Sequence, residues 1–388
     1  MFKLIRATTV SISLKTLLKG QHRFMANNGF NVIGVASEGK ELHDVHVEEN
    51  IPVVALEMTR TISPFKDLQS LWKFYRLCKK EKPTIVHSHT PKAGLVAMLG
   101  AKAAGVPIRL HTVAGMPLME AKGIKRLVLD MVEKLTYAAA TGVYPNSNKL
   151  YDFIIDNEYS SPKKVKVIAN GSSNGINTGI FCNDQVLEEQ KTLLKKNLNI
   201  LPEDFVFIFV GRLVGDKGLN ELIKAFTKIK DNSVKLLLVG SLESELDPLH
   251  PETLQEIKNN ANIISGGFQK DVRPYFAISN ALVFPSYREG FPNVVMQAGA
   301  MELPAIVSDI NGCNEIIIEG KNGIIVPVKN VDAVKNAMEM MISDKELYLK
   351  MKANARGMIT ERYEQQVVWD ALLTEYNSLL KDKGLDNV

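Results

Sequence analysis

Short, unbroken apolar runs recur along the chain, separated by stretches with helical spacing. In the first half they fall at residues 3–5, 31–35, 52–56, 84–86, 108–110, 142–144 and 165–168. In the second half they fall at 205–210, 235–239, 262–264, 281–284, 304–307 and 323–326. A strand with one wet face alternates polar and apolar residues, so continuous runs predict parallel strands buried on both faces. Between them, sets such as Leu68, Leu71, Trp72, Tyr75 and Leu219, Leu222, Ile223, Phe226 repeat at helical steps. This alternation predicts an α/β protein whose parallel sheets carry helices on both faces.

A Gly, Ser and Asn cluster at 170–179 interrupts the pattern. Such a composition disfavours regular structure and predicts a linker. With 388 residues, the chain is too long for one ordinary core. The expectation is a first domain over 1–170 and a second over 171–365, with a C-terminal helix at about 366–388 returning to the first. Doubly wound sheets bind ligands beyond the carboxyl ends of their strands, so a cleft between the two domains is the expected site.

Composition narrows the class. Cys78, Cys182 and Cys313 are odd in number and widely spaced, which suits neither a disulfide framework nor a metal cluster. The opening residues are too polar for a signal-peptide core, and no stretch approaches the roughly 18 apolar residues of a membrane span. A cytoplasmic location is expected. Residues 1–170 hold 24 Lys and Arg against 14 Asp and Glu, whereas the remainder holds 23 against 29. A basic half can face an anionic membrane or a phosphorylated substrate, or be an ordinary solvated surface. The stretches 71–80 and 124–134 mix apolar and cationic residues. They read as helices that either pack on their own sheet or touch the inner face of a bilayer. A nucleic-acid partner is not expected.

The chemistry concentrates in the second half. Ser286-Tyr287-Arg288-Glu289-Gly290-Phe291-Pro292 follows an apolar run and leads into a helical one. Glu289 thus sits on a strand-to-helix turn, beside backbone amides that can hold a phosphate. Pro292 suits the first helical turn. Asn293 and Gln297 are four apart and share a helix face. Gly211-Arg212-Leu213-Val214-Gly215-Asp216-Lys217-Gly218 also follows a strand, and Arg212 with Lys217 can meet one diphosphate. The spacing fits neither a Walker loop nor a G-x-G-x-x-G loop.

These motifs, with Phe268 before Asp271-Val272 and Ser308-Asp309 before Glu315-Ile316, resemble the retaining glycosyltransferases of family 4. The first half is similar to their capsular and lipid-linked polysaccharide branch through Leu18-Lys19-Gly20-Gln21, Arg60-Thr61-Ile62-Ser63-Pro64 and His87-Ser88-His89-Thr90-Pro91-Lys92. The resemblance implies a GT-B fold, two doubly wound Rossmann-like domains facing across a cleft. The first would bind acceptor and the second nucleotide sugar. It implies a donor such as a UDP-N-acetylhexosamine and a polyprenyl-diphosphate-linked saccharide acceptor. Carried over by position, Arg212 and Lys217 take the donor diphosphate. Glu289 and the amides of Gly290 and Phe291 hold the transferred sugar. Gly211, Phe268, Asn293, Val294 and Gln297 complete the donor site.

His111 matches a family histidine near the transferred sugar, and Ser11, Ser13, His89 and Lys92 fall on the acceptor side. Two departures stand out. The family's second acidic residue is Gln297 here, so a neutral hydrogen bond replaces a charged one at the ribose. The glycine pair after the first strand is replaced by Thr9-Val10-Ser11-Ile12-Ser13-Leu14, read as a loop. With no Asp-x-Asp in the chain, no metal cofactor is expected. A 2-epimerase of the same fold and an inactive sugar-nucleotide-binding subunit are the rival readings.

Overall fold

The computed structural model describes every residue except 60–62, 117, 119–120, 244, 246 and 386–388. Most of the Arg60-Thr61-Ile62-Ser63-Pro64 motif therefore lies outside the described residues. The chain divides into two compact units, Met1–Gly175 with the chain from Gln366 onward, and Ile176–Gln365.

The first unit holds strands β1 (Phe2–Ala7), β2 (Phe30–Ala36), β3 (Val53–Ala55), β4 (Ile85–Ser88), β5 (Ile108–Val113) and β6 (Gly142–Pro145). They form one sheet in the order β3-β2-β1-β4-β5-β6, with every pair parallel. The second holds β7 (Phe205–Val210), β8 (Val234–Val239), β9 (Ile263–Gly267), β10 (Ala281–Phe284), β11 (Ala305–Ser308) and β12 (Gly323–Val326). Their order is β12-β11-β10-β7-β8-β9, again all parallel. Read from β7, this is the order of the first unit repeated. Each unit is the doubly wound α/β sheet that the apolar runs predict, and each has a switch point beside its first strand, β1/β4 and β7/β10.

The central strands are apolar on both faces because helices cover both. Leu4, Ile5 and Ala7 of β1 and Val206, Phe207, Ile208 and Phe209 of β7 are fully buried. The helix Gln365–Asp382 sends Leu372, Tyr376 and Leu380 into the first unit's core beside Leu4, Phe30 and Ile85.

Two expectations are corrected. The run 165–168 forms no strand; Val165 makes a single parallel bridge to Val143 before the chain turns away. The run carries Lys166, whose ammonium pairs at 2.5 Å with Glu375 at the surface, so it is not buried on both faces. Thr9–Leu14 is not a loop throughout, because a helix spans Ser11–Leu17 and buries Ser11 and Leu14. Leu14, and Leu18 just past its end, join the core, and that burial outweighs the β-branched and Ser content.

One close approach fixes the chain at the second switch point. Gly218 has φ +71°, and a Cβ there would stand 2.1 Å from the Pro285 carbonyl oxygen, which follows β10. Gly105 shares the left-handed backbone, φ +81°, but faces open space. Substituting alanine should therefore cost about 1 kcal/mol at Gly105, the left-handed penalty alone. At Gly218 it should cost about 3 kcal/mol or more, because backbone must move as well. Urea denaturation of G105A and G218A separates the two, and equal losses would contradict the close approach.

Candidate active site

In the second unit, the chain leaves β7 through Gly211, makes a tight turn at Gly215–Lys217 and enters the helix Leu219–Phe226. It leaves β10 through Pro285 and enters the helix Asn293–Ala300. Because β7 and β10 are neighbours, the two loops meet. Lys217 Nζ forms an ion pair with Glu289 Oε1, and the side chains are only 16% and 17% exposed. Withdrawal from water strengthens their attraction but also costs desolvation. Ser286, fully buried, places its Oγ 3.1 Å from Glu289 Oε1 and 3.0 Å from the Arg288 carbonyl.

The surrounding contacts fix the Glu289 loop. The Tyr287 amide donates to the Asp216 carbonyl at 2.9 Å, and the Arg288 guanidinium lies 2.9 Å from the Asp216 carboxylate. Asn311, just past β11, donates to the carbonyls of Gly290 at 2.6 Å and Glu289 at 3.2 Å. The Phe291 ring packs against Tyr363, 5.3 Å between centroids, leaving its backbone amide as the polar group at that position. Pro292 stands one residue ahead of the helix rather than in its first turn. Its φ of −75° suits either place, and its ψ of 110° is extended. No side chain caps this helix end, so the amides of Asn293 and Val294 point outward as an anion-binding edge.

Gln297 is half-buried one turn along the same helix. Phe268 is an exposed ring just past β9. Arg212 pairs with Glu243 at 3.0 Å, and both are well exposed. The structure thus joins Lys217 and Glu289 directly, while Arg212 has a partner of its own. Burial pushes the Cys313 thiol well up, and the nearby Glu289 carboxylate adds to this.

In the first unit a different set converges past β4. Arg6 on β1 is fully buried and reaches His89 Nε2, 3.0 Å from Nη2 and 3.4 Å from Nε. His87 lies 2.6 Å from the Tyr376 hydroxyl through Nδ1 and 2.8 Å from Thr112 Oγ1 through Nε2. The His87 ring, on β4, and the His89 ring, one residue past it, lie 4.2 Å apart between centroids. His111 is buried, with Nδ1 2.8 Å from Ser88 Oγ. A Cβ on Gly94 would stand 2.5 Å from the His111 ring, so the absent side chain gives that ring its place. Ser11 Oγ donates to Glu41 at 2.9 Å, and Lys92 pairs with Asp67 at 2.5 Å. Those two side chains are committed within the unit, whereas Ser13 is half-buried on the Ser11–Leu17 helix.

Burial lowers the pKa of His111 to about 4 and, with the charge of Arg6, that of His22 to about 3. His87 and His89 are held well below the usual histidine range, first by burial and then by neighbouring positive groups. All four rings are therefore neutral near pH 7. Among the described residues no group of three or more His, Cys, Asp and Glu is placed to hold a metal. Reading motifs alone left Ser286 without a role and missed Asp216, Asn311 and Arg6. Asn311 follows a strand end, which was the available signal; Arg6 sits inside an apolar run and gave none.

Residues 190–358 match the family described as glycosyl transferases group 1, and residues 22–171 match the glycosyl transferase 4-like domain. Over 384 residues the chain is 36% identical to the capsular polysaccharide biosynthesis glycosyltransferase CapM of Staphylococcus aureus, covering 98% of each. It is 29% identical over 371 residues to a UDP-Gal:alpha-D-GlcNAc-diphosphoundecaprenol alpha-1,3-galactosyltransferase of Escherichia coli, covering 91% of this chain and 92% of that one. The structure of Anabaena HepE in complex with UDP superposes with a TM-score of 0.80 at 18% identity, over 97% of this chain and 100% of that one. That likeness establishes a shared fold.

The four neutral histidines make stability depend on pH with a definite sign. Unfolded, each binds a proton near pH 6.5; folded, each resists protonation until far lower. Their effect on stability is nil above that pH and grows as pH falls, by about 1.4 kcal/mol per pH unit for each ring. Urea midpoints should be flat from about pH 8 to 7 and drop steeply below about pH 6.5. A midpoint unchanged down to about pH 5 would show that the rings titrate normally.

Proposed function

We propose, from the premise that this chain belongs to the family 4 glycosyltransferases of GT-B fold and takes part in capsular or lipid-linked polysaccharide synthesis, that it is a retaining, metal-independent enzyme moving a sugar from a UDP-sugar to a polyprenyl-diphosphate-linked saccharide. A UDP-N-acetylhexosamine is the proposed donor. The observation that carries this reading is the Lys217–Glu289 pair beside an uncapped helix start at the β7/β10 switch point.

In this reading the leaving diphosphate gains negative charge where Lys217 and the amides of Asn293 and Val294 already point. Arg212, released from its exposed partner Glu243, adds a second cation. Because these positive groups come from the protein, no metal bridge is required. Gly211 lets the backbone pass close beneath, Phe268 offers a ring face to the base, and Gln297 bonds the ribose. Glu289 and the amides of Gly290 and Phe291 position the transferred sugar. With one carboxylate oxygen already engaged by Lys217 and Ser286, Glu289 is better placed to orient than to attack. His111 acts as a neutral donor near the sugar. Ser13 and His89 fall on the acceptor side, whereas Ser11 and Lys92 would contribute through the segments they anchor.

The acceptor's lipid requires a membrane, and two helices of the first unit suit one. Both pack against the helix Pro91–Ala104. Pro64–Glu81 exposes Phe65, Leu68 and Trp72, and Gly123–Ala139 exposes Ile124, Leu127, Met131 and Leu135. Their spacing keeps each set on one face, flanked by exposed Lys66, Lys73, Lys122, Lys125 and Lys134. Apolar rows bordered by cations bind anionic interfaces. No helix among the described residues is long and apolar enough to cross a membrane. The proposed location is the inner face of the cytoplasmic membrane, held peripherally.

Incubation with a panel of UDP-sugars and short-chain diphosphate-linked saccharides, with and without EDTA, tests the reaction. A product of inverted anomeric configuration, or transfer abolished by EDTA, would contradict the mechanism. K217A and E289A should each lower kcat about a hundredfold or more, as loss of one preorganised electrostatic group does; near-normal turnover in either would remove the site. Q297E should maintain or improve the donor KM. On anionic vesicles, L127D combined with W72D should reduce bound protein by about tenfold or more, since each apolar side chain contributes about 1.5–3 kcal/mol when buried. Unchanged sedimentation would exclude this face.

A further inference from the structure

The first unit contains a small pocket past the carboxyl ends of β4, β5 and β6, and of its polar side chains only His89 has been given a place above, on the acceptor side. His89, Thr112 and Asn146 lie on its polar side with Tyr144, Ser172 and Ser173; Ile168, Val368 and Leu372 form an apolar wall. It offers about 20 Å³ to water-sized guests, room for one water or one hydroxyl oxygen.

Two of its polar atoms are buried without a partner, His89 Nδ1 and Asn146 Oδ1. Their residues are only 3% and 5% exposed. Their hydrogen-bonding character follows from what the rest of each side chain does. Arg6 can only donate, and it donates to His89 Nε2 at 3.0 Å. That nitrogen must then be the acceptor, so the neutral ring carries its proton on Nδ1. Asn146 Nδ2 donates to the Ala114 carbonyl at 3.3 Å, which leaves Oδ1 as the free acceptor. The pocket therefore presents one unmatched donor and one unmatched acceptor.

Both are held in place. The Asn146 amide donates to the Val113 carbonyl at 3.0 Å, and its carbonyl accepts from Ser172 at 2.8 Å. The His89 ring is clamped between Arg6 and the His87 ring. Two such buried atoms left unpaired would cost stability, so the arrangement calls for a guest that accepts once and donates once. An anion accepts but cannot satisfy Asn146 Oδ1. A hydroxyl does both, and room for one oxygen leaves the ring that carries it at the pocket's mouth.

We propose that this pocket is a saccharide subsite, in which one sugar hydroxyl accepts from His89 Nδ1–H and donates to Asn146 Oδ1. Arg6 is a positioning residue that acts through His89 by fixing its tautomer. The assignment of this sugar to the acceptor rests on the transferase reading given above; the pocket itself does not.

The test uses the full chain labelled with 15N-histidine. The His89 ring should show the neutral Nδ1–H tautomer, and its signals should shift when methyl glycosides of hexoses and N-acetylhexosamines are added. In the transfer assay N146A should raise the acceptor KM about tenfold, the worth of one hydrogen bond. The donor KM and the rate of donor hydrolysis in water should be unchanged. H89N, whose amide nitrogen stands where Nδ1 did, should keep a lower acceptor KM than H89L, although both lose the bond to Arg6. An Nε2–H tautomer, an N146A acceptor KM equal to wild type, or glycosides that leave His89 unmoved would each overturn the proposal, the last reducing the pocket to a water site. If the wild-type protein transfers no sugar, the function proposed above fails, and the glycoside titration alone still decides the pocket.

Discussion

The ion pair between Lys217 and Glu289 joins two loops 72 residues apart in sequence, and the candidate donor site is arranged around it. It exists because the sheet order sets β7 beside β10, so both chains emerge at one place. Gly218 lets the Lys217 turn lie against Pro285. Asn311 holds the Glu289 carbonyl from a third loop. Removing water from both charges strengthens their attraction, yet each still bears a desolvation cost that the pair alone need not recover. A diphosphate arriving at the helix start would compete with Glu289 for the ammonium, and Glu289 would exchange that contact for sugar hydroxyls. The same contact thus orders the two loops and, in the proposed reaction, would hold the cation where the leaving group needs it.

The first unit repeats the sheet but fills its switch point differently. There the cation is Arg6, and its direct partner is a neutral imidazole rather than a carboxylate. A buried guanidinium beside neutral histidines creates a positive potential that the buried Glu49 carboxylate offsets in part. Burial first, and that potential second, hold His22, His87 and His89 deprotonated, and the bond from Arg6 fixes which nitrogen of His89 carries the proton. Tyr376, from the helix Gln365–Asp382, closes the cluster by bonding His87. The end of the chain therefore takes part in the polar chemistry of the first sheet as well as in its core.

Much of this was legible in the sequence, and the exceptions share a cause. Unbroken apolar runs identify strands buried on both faces, because no other element needs apolar residues at every position. That reasoning failed at 165–168, where the run carries Lys166 at a surface position. It read Thr9–Leu14 as a loop, because local propensity does not register the burial of Leu14. Glu289 and Lys217 were legible because each follows a strand and precedes a helix. Arg6 and Asn146 were not. Their importance lies in which atoms remain unpaired after every neighbour has bonded, and that is a property of three dimensions. The same holds for Ser11, which follows the first strand and whose hydroxyl is taken up by Glu41.

Gln297 is more intelligible within this arrangement than as an isolated departure. In the proposed donor site Glu289 already places one negative charge beside the helix start that would receive a diphosphate. A carboxylate one turn along would add repulsion at the phosphates, and its stronger bond to a ribose hydroxyl would offset that cost. In that site an amide at 297 would give up the stronger ribose contact and leave the positive potential of Lys217 and the helix-start amides directed at the diphosphate. The nucleotide would then be held chiefly through its phosphates, where charge develops as the bond to the sugar breaks, and less through its ribose, where none does.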